Sequence, residues 1–231
     1  MARLTRKQLK QDNFAAEVGH TVEYVAGHRK QLTRAAIVAA VVIALGAGIY
    51  FYIRHQRNLR QAALAEAIRI QDTLVGQTGA DVPTYPTQEA KDKEVAKALN
   101  GIIEKYSGSQ EAAVARYYLG TNAADQGRLA EAEKQLKASI ESADDAYASL
   151  GKVALAQVYL ATNRAAEGEK LLREVMAHPT VFVSKEQGAI LLAEALRNSK
   201  PQEARKLLEP LRTSRTAVSQ VAIGALGEIG R

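Results

Sequence analysis

Residues 35–53 form a run of nineteen positions without Asp, Glu, Lys, Arg or His, closed at its ends by Arg34 and Arg54. A helix of that length rises about 28 Å at about 1.5 Å per residue, close to the hydrocarbon thickness of a bilayer. A soluble amphipathic helix keeps a polar face, and residues 35–45 offer none, so the pattern predicts a transmembrane helix over 34–54. Tyr50 and Tyr52 stand at its C-terminal edge, where amphipathic rings settle among headgroups.

The small-x-small sequence Ala63-Leu64-Ala65 resembles a signal cleavage site. The run, however, starts 34 residues into the chain, is longer than a signal h-region and is followed by Arg54, Arg57 and Arg60, so it is read as a retained anchor. Arg3, Arg6, Lys7, Lys10, Arg29, Lys30 and Arg34 precede it, against Arg54, Arg57, Arg60 and Arg69 in the twenty residues after it. That bias places the tail 1–33 in the cytoplasm and sends residues 54–231 across the membrane. The tail's Leu4, Leu9, Phe14, Val18, Val22 and Val25 lie among bases. They fit either an amphipathic surface helix or, because Asp12, Glu17 and Glu23 dilute the charge, a disordered tail.

Beyond the span the pattern turns helical and repeats. Leu119, Leu155 and Leu191 are spaced by 36 residues, as are the small residues Ala132, Gly168 and Ala204 and the leucines Leu136, Leu172 and Leu208. One shared period in three columns signals a solenoid of helical hairpins, with leucines filling the interior and the small column letting two helices approach. The first clear hairpin is read as helices over 111–126 and 129–142 with Gly127 in the turn. The next two turn near Asn163 and near Ser199-Lys200-Pro201. Helices over 56–75 and 88–106 precede it as a membrane-proximal hairpin (55–108), and a terminal helix over 217–229 covers the end of the repeats (109–231). The fold class is all-α, with no strands.

Leu119-Gly120, Gly127, Ala132 and Leu136, then Leu155-Ala156, Asn163, Gly168 and Leu172, resemble the tetratricopeptide repeat (TPR). The third unit, Leu191, Ala204 and Leu208, has Ser199 where the others turn on glycine or asparagine. A basic tail, one span and a short TPR domain together resemble the ancillary SecYEG translocon subunit family (YfgM type). The repeats are also similar to those of a periplasmic cell-division coordinator. The first resemblance implies an inner-membrane protein with a periplasmic domain, associating with the translocon and with periplasmic chaperones that handle exported chains.

In a TPR solenoid the first helices of the hairpins line a groove. The leucine register places Val114, Tyr117, Thr121, Leu150, Val153, Gln157, Leu160, Ala189, Ala193 and Leu196 there. Carboxylate-clamping families hold Lys, Arg and Asn on this face, whereas this chain has Tyr117, Thr121, Val153 and Gln157. The expected occupant is therefore an apolar helix or extended segment of a partner, and the alternative is that these residues pack internally. In the span, Ala36, Ala40, Ala44 and Gly48 make a small-residue face suited to packing against another membrane helix, or reflect plain alanine richness.

Lys and Arg number 31 against 25 Asp and Glu, but the bases are interleaved with acids. With nine tyrosines, three phenylalanines and no tryptophan, no basic-aromatic pattern for nucleic acid emerges. The absence of cysteine is silent on compartment. His20, His28, His55 and His178 stand singly, without a second ligand at metal spacing. His178 before Pro179 reads as a helix end, and Asp144-Asp145 as helix N-caps rather than a catalytic pair. No enzyme activity, cofactor or metal is expected.

Overall fold

The computed structural model describes residues 29–76, 84–213 and 217–229, almost all of them helical. The amphipathic tail segment ending at Val25 lies outside the described residues. The chain divides into two units, Met1–Asn58 and Leu59–Arg231. Helix α1, Arg29–Asp72, carries the apolar run. Residues 33–55 are all exposed, and the most apolar 18-residue window has a mean hydropathy of 2.4 and is 0% buried. The helix is thus long and apolar enough to cross a bilayer and covers none of that surface itself.

In the second unit, the end of α1 is followed by α2 (Gln88–Lys105), α3 (Gln110–Asp125), α4 (Leu129–Ser142), α5 (Asp145–Ala161), α6 (Ala165–Ala177), α7 (Lys185–Leu196), α8 (Pro201–Leu208) and α9 (Ala217–Glu228). The expectation of no strands needs one correction. Leu74–Val75 pairs in parallel with Thr84–Tyr85, and the Gly76 amide donates to the Tyr85 carbonyl at 2.9 Å. The β-branched Val75 and Thr84 and the aromatic Tyr85 suit extended backbone, whose polar groups pair with each other here.

Helix starts follow side-chain chemistry. Thr87, Ser109, Asp144 and Ser184 each accept the amide of the residue three positions on, at 3.0–3.2 Å. His178 caps the end of α6, donating its amide to the Glu174 carbonyl. The hairpin turns need a left-handed residue, supplied by Gly127 (φ 73°) and, 36 positions on, by Asn163 (φ 60°). The third turn uses Pro201 at the first position of α8 instead.

The interior forms three apolar clusters. Ala63, Leu64, Ala67 and Ile70 of α1 meet Val95, Leu99 and Ile102 of α2 and Ala115 of α3. Ala123 of α3 meets Ala132 and Leu136 of α4 and Leu155, Val158 and Tyr159 of α5. Ala156, Leu172, Leu192, Ala193, Leu196, Ala204 and Leu208 join Ala222 and Ile229 at the C-terminal end. All six residues of the small and second leucine columns are buried, and Leu155 is 3% exposed, while Leu119 and Leu191 are half-buried at the margins.

Helix approach is tightest at Gly120, where a Cβ would stand 2.6 Å from Leu136 Cγ, itself fully buried. Gly120→Ala is expected to lower unfolding free energy by about 1–3 kcal/mol, despite alanine's better helix propensity, because Leu136 has nowhere to move. Urea titration of the full chain in detergent checks this; an unchanged or raised midpoint would contradict the packing.

Candidate protein-docking face

The predicted groove positions part company in the structure. Val114 and Leu196 are each 2% exposed, and Ala193 and Ala189 are 1% and 7% exposed, so these four belong to the interior rather than to a groove. The reasons are local. Residues 111–115 of α3 are buried all round, with the Ser139 hydroxyl donating to the Ala113 carbonyl at 2.8 Å from α4. On α7, Ala193 and Leu196 share their cluster with Ala222 of α9 and with Ile229. Val153 packs against that cluster from α5, and Leu160 lies against Gly168 of α6. Tyr117, Thr121 and Leu150 remain half-buried, and Gln157 is exposed.

Around Tyr117 the surface is aromatic, and its other rings were not among the predicted positions. Tyr117 and Tyr118 on α3 meet edge to face at 5.4 Å, and Tyr147 at the start of α5 meets Phe182 the same way at 5.1 Å. Burial pushes the Tyr117 and Tyr118 phenols up, and the Tyr147 phenol, within electrostatic reach of both, adds to the shift. Asp125 acts on Tyr117 and Asp72 on Tyr118 in the same direction. Four of the seven aromatic residues beyond position 59 thus fall in two ring pairs that Tyr147 brings within electrostatic reach of each other, and together they are called the ledge. That scarcity elsewhere was the signal available in the sequence.

The ledge ends on a loop shaped by Thr180. Its hydroxyl pairs with that of Ser149 at 2.8 Å and accepts the amides of Phe182 and Val183 at 3.3 and 3.1 Å. Val183 is fully buried and anchors the loop, which leaves Val181 89% exposed and Phe182 45% exposed beside Tyr147.

A second feature repeats with the fold. Glu133 on α4 accepts Lys137 and Arg164 at 2.7 Å each, and 36 residues on Glu169 accepts Arg173 at 2.7 Å and Lys200 at 2.9 Å. Each rung ties a second helix to the start of the next hairpin's second helix, and Arg164 also lies 4.1 Å over the Tyr159 ring. An open hollow of about 590 Å³ is lined by Glu169, Lys170, Arg173, His178 and Lys200; Arg173 and Lys200 are committed to Glu169 and Glu203, which argues against an anion site.

Hydrogen bonds from Lys137 and then Arg164 hold the Glu133 carboxyl below the ordinary glutamate range, and those from Lys200 and then Arg173 do so for Glu169. Depressed carboxyls stabilise the fold above the unfolded value of about 4.3, and that contribution is lost as pH falls through their lower folded values. A Glu133→Gln, Glu169→Gln variant should lose less melting temperature between about pH 5 and about pH 3 than the parent. Parallel acid slopes would contradict the ladder.

Among the described residues, no group of three or more His, Cys, Asp or Glu is placed to hold a metal. A profile of the tetratricopeptide repeat-like domain matches residues 29–209, a segment that begins with the first residue of α1. No curated protein and no solved structure matches the chain. With helical hairpins in register at 36 residues and a family match over well more than half its length, this chain belongs to the tetratricopeptide repeat-like domain family, a class of typically non-catalytic protein-interaction modules.

Proposed function

We propose that the chain is a membrane-anchored TPR protein that docks other proteins beside the bilayer. Its partners would be translocon subunits and the periplasmic chaperones or exported chains that gather there. The observation that carries the anchor is α1, whose apolar stretch is exposed on every side and flanked by arginines. Inclusion of that helix in the family match supports the span as part of the same design. The resemblance to the ancillary translocon subunit family supports the choice of partners and a cytoplasmic N-terminus in the inner membrane.

Within the span, Ala36, Ala40, Ala44 and Gly48 would pack against a partner's membrane helix. Photo-crosslinkers beside this face, at Val41 and Leu45, test both points. Crosslinks to translocon subunits that disappear when all four small residues become leucine are expected. Crosslinks confined to cell-wall or division machinery would contradict the export assignment in favour of an envelope scaffold.

A further inference from the structure

We infer that the aromatic ledge of Tyr117, Tyr118, Tyr147 and Phe182 seats a partner segment carrying apolar side chains and at least one lysine or arginine, whose cation lies over the phenol rings near Asp72 and Asp125. This rests on the reading of the domain as a docking module and specifies what it takes.

The first support is exposure. Val181 projects almost wholly into water beside Phe182, on a loop that Thr180 and Val183 hold in place. Rigid, solvent-facing apolar groups next to half-buried tyrosines mark a contact surface. Tyrosine rings add anchoring area with little rotamer entropy to lose, and their faces attract cations.

The second support is charge placed against local preference. Asp125 is the last residue of α3, and Asp72 is the last residue of α1. A carboxylate at a helix C-terminus faces the negative end of the macrodipole, where a base is favoured. The last turn of α3 holds no base, and Arg69 near the end of α1 is engaged by Glu66 at 2.6 Å. Asp72 and Asp125 have no cationic partner among the described residues, a state they share with Glu104 and Glu141 near other helix ends, and what sets them apart is their position beside Tyr118 and Tyr117. Locally unfavourable choices that nothing in the fold compensates point to function.

Helical register gathers these groups. Tyr117, Thr121 and Asp125 recur at four-residue spacing along one face of α3, while Arg116 is set about 100° from Tyr117 and away from Tyr118 and Asp125. At Tyr117 and Tyr118 the charged side chains that act on the rings are therefore the carboxylates Asp125 and Asp72. They repel a peptide's terminal carboxylate and draw in a cationic side chain.

The test uses the full chain in zwitterionic lipid nanodiscs, with empty nanodiscs as blank, and fluorescence anisotropy of three labelled, C-terminally amidated peptides. They share Leu and Val positions and carry Lys and Arg, Gln, or Glu at the remaining positions. The basic peptide is expected to bind about tenfold more tightly than the acidic one, with the margin shrinking at high salt. Asp72→Asn with Asp125→Asn should bring the two within about twofold. Tyr147→Ala with Phe182→Ala should abolish binding of the basic peptide, with circular dichroism confirming the fold, and Phe182→Ser serves if the pair unfolds.

Equal binding of all three peptides, lost in the Tyr147 and Phe182 variants, would overturn the charge inference while leaving a docking face. Binding that survives the ledge variants in folded protein would overturn the ledge itself. If no peptide binds and crosslinkers at Tyr147 and Phe182 capture no protein in cells, the docking reading fails as well.

Discussion

Leu172→Ala is expected to lower unfolding free energy by about 2–5 kcal/mol, the cost of a buried leucine whose cavity cannot close. Leu172 is 2% exposed and packs in one cluster with Ala156 of its own hairpin and with Leu192, Ala193 and Ala204 of the next. In a solenoid, stability is the sum of each hairpin and its contacts with its neighbours, so a leucine in the middle hairpin weakens two terms at once. Domains of this size hold roughly 5–15 kcal/mol in total, and each kcal/mol is worth about 2–4 °C, so the midpoint should drop by about 4–20 °C. Gln157→Ala, on the exposed side of the same hairpin, should stay within about 0.5 kcal/mol. Thermal circular dichroism of both variants checks the pair. A Leu172→Ala midpoint indistinguishable from that of Gln157→Ala would mean the 36-residue columns are not the core.

The second large effect concerns α1. Val41 and Leu45 are 51% and 63% exposed on one side of the apolar run. An arginine at the centre of a membrane helix costs about 2.5–3.5 kcal/mol on insertion, so Val41→Arg with Leu45→Arg removes about 5–7 kcal/mol. That approaches what the apolar run supplies, and the double variant should leave the membrane fraction for the soluble one. Arginines at Arg57 and Arg60 already stand outside the run, so Gln61→Arg should leave membrane retention unchanged. Retention of the Val41, Leu45 double variant in carbonate-washed membranes would contradict a lipid-facing α1.

The elements visible in the sequence are those decided by burial and by local backbone chemistry. Ala132, Gly168, Ala204, Leu136, Leu172 and Leu208 repeat because each is enclosed the same way, and Gly127 and Asn163 repeat because the turn demands positive φ. The charge ladder shares that period through Glu133 and Glu169, Lys137 and Arg173, and Arg164 and Lys200, but it emerged only once the helices were placed side by side. The docking face was not legible in the sequence. Whether Val114 or Leu196 meets water depends on which neighbour lies over it, and register within one hairpin says nothing about the helices on either side. Tyr147 and Phe182 sit at a helix start and in a loop, outside the repeat columns altogether. The strand pair escaped for another reason, since two residues on each side carry no periodic signal.

The most direct measurement of a docking module held at the membrane is protease accessibility of the intact chain in osmotically opened cells, with tags at both termini. External protease should remove the C-terminal tag and digest residues 59–231 while leaving the N-terminal tag on a membrane-bound fragment, until detergent exposes it. Protection of the C-terminal tag in osmotically opened cells whose inner membrane is intact, or recovery of the whole uncleaved chain from the soluble fraction, would contradict the account.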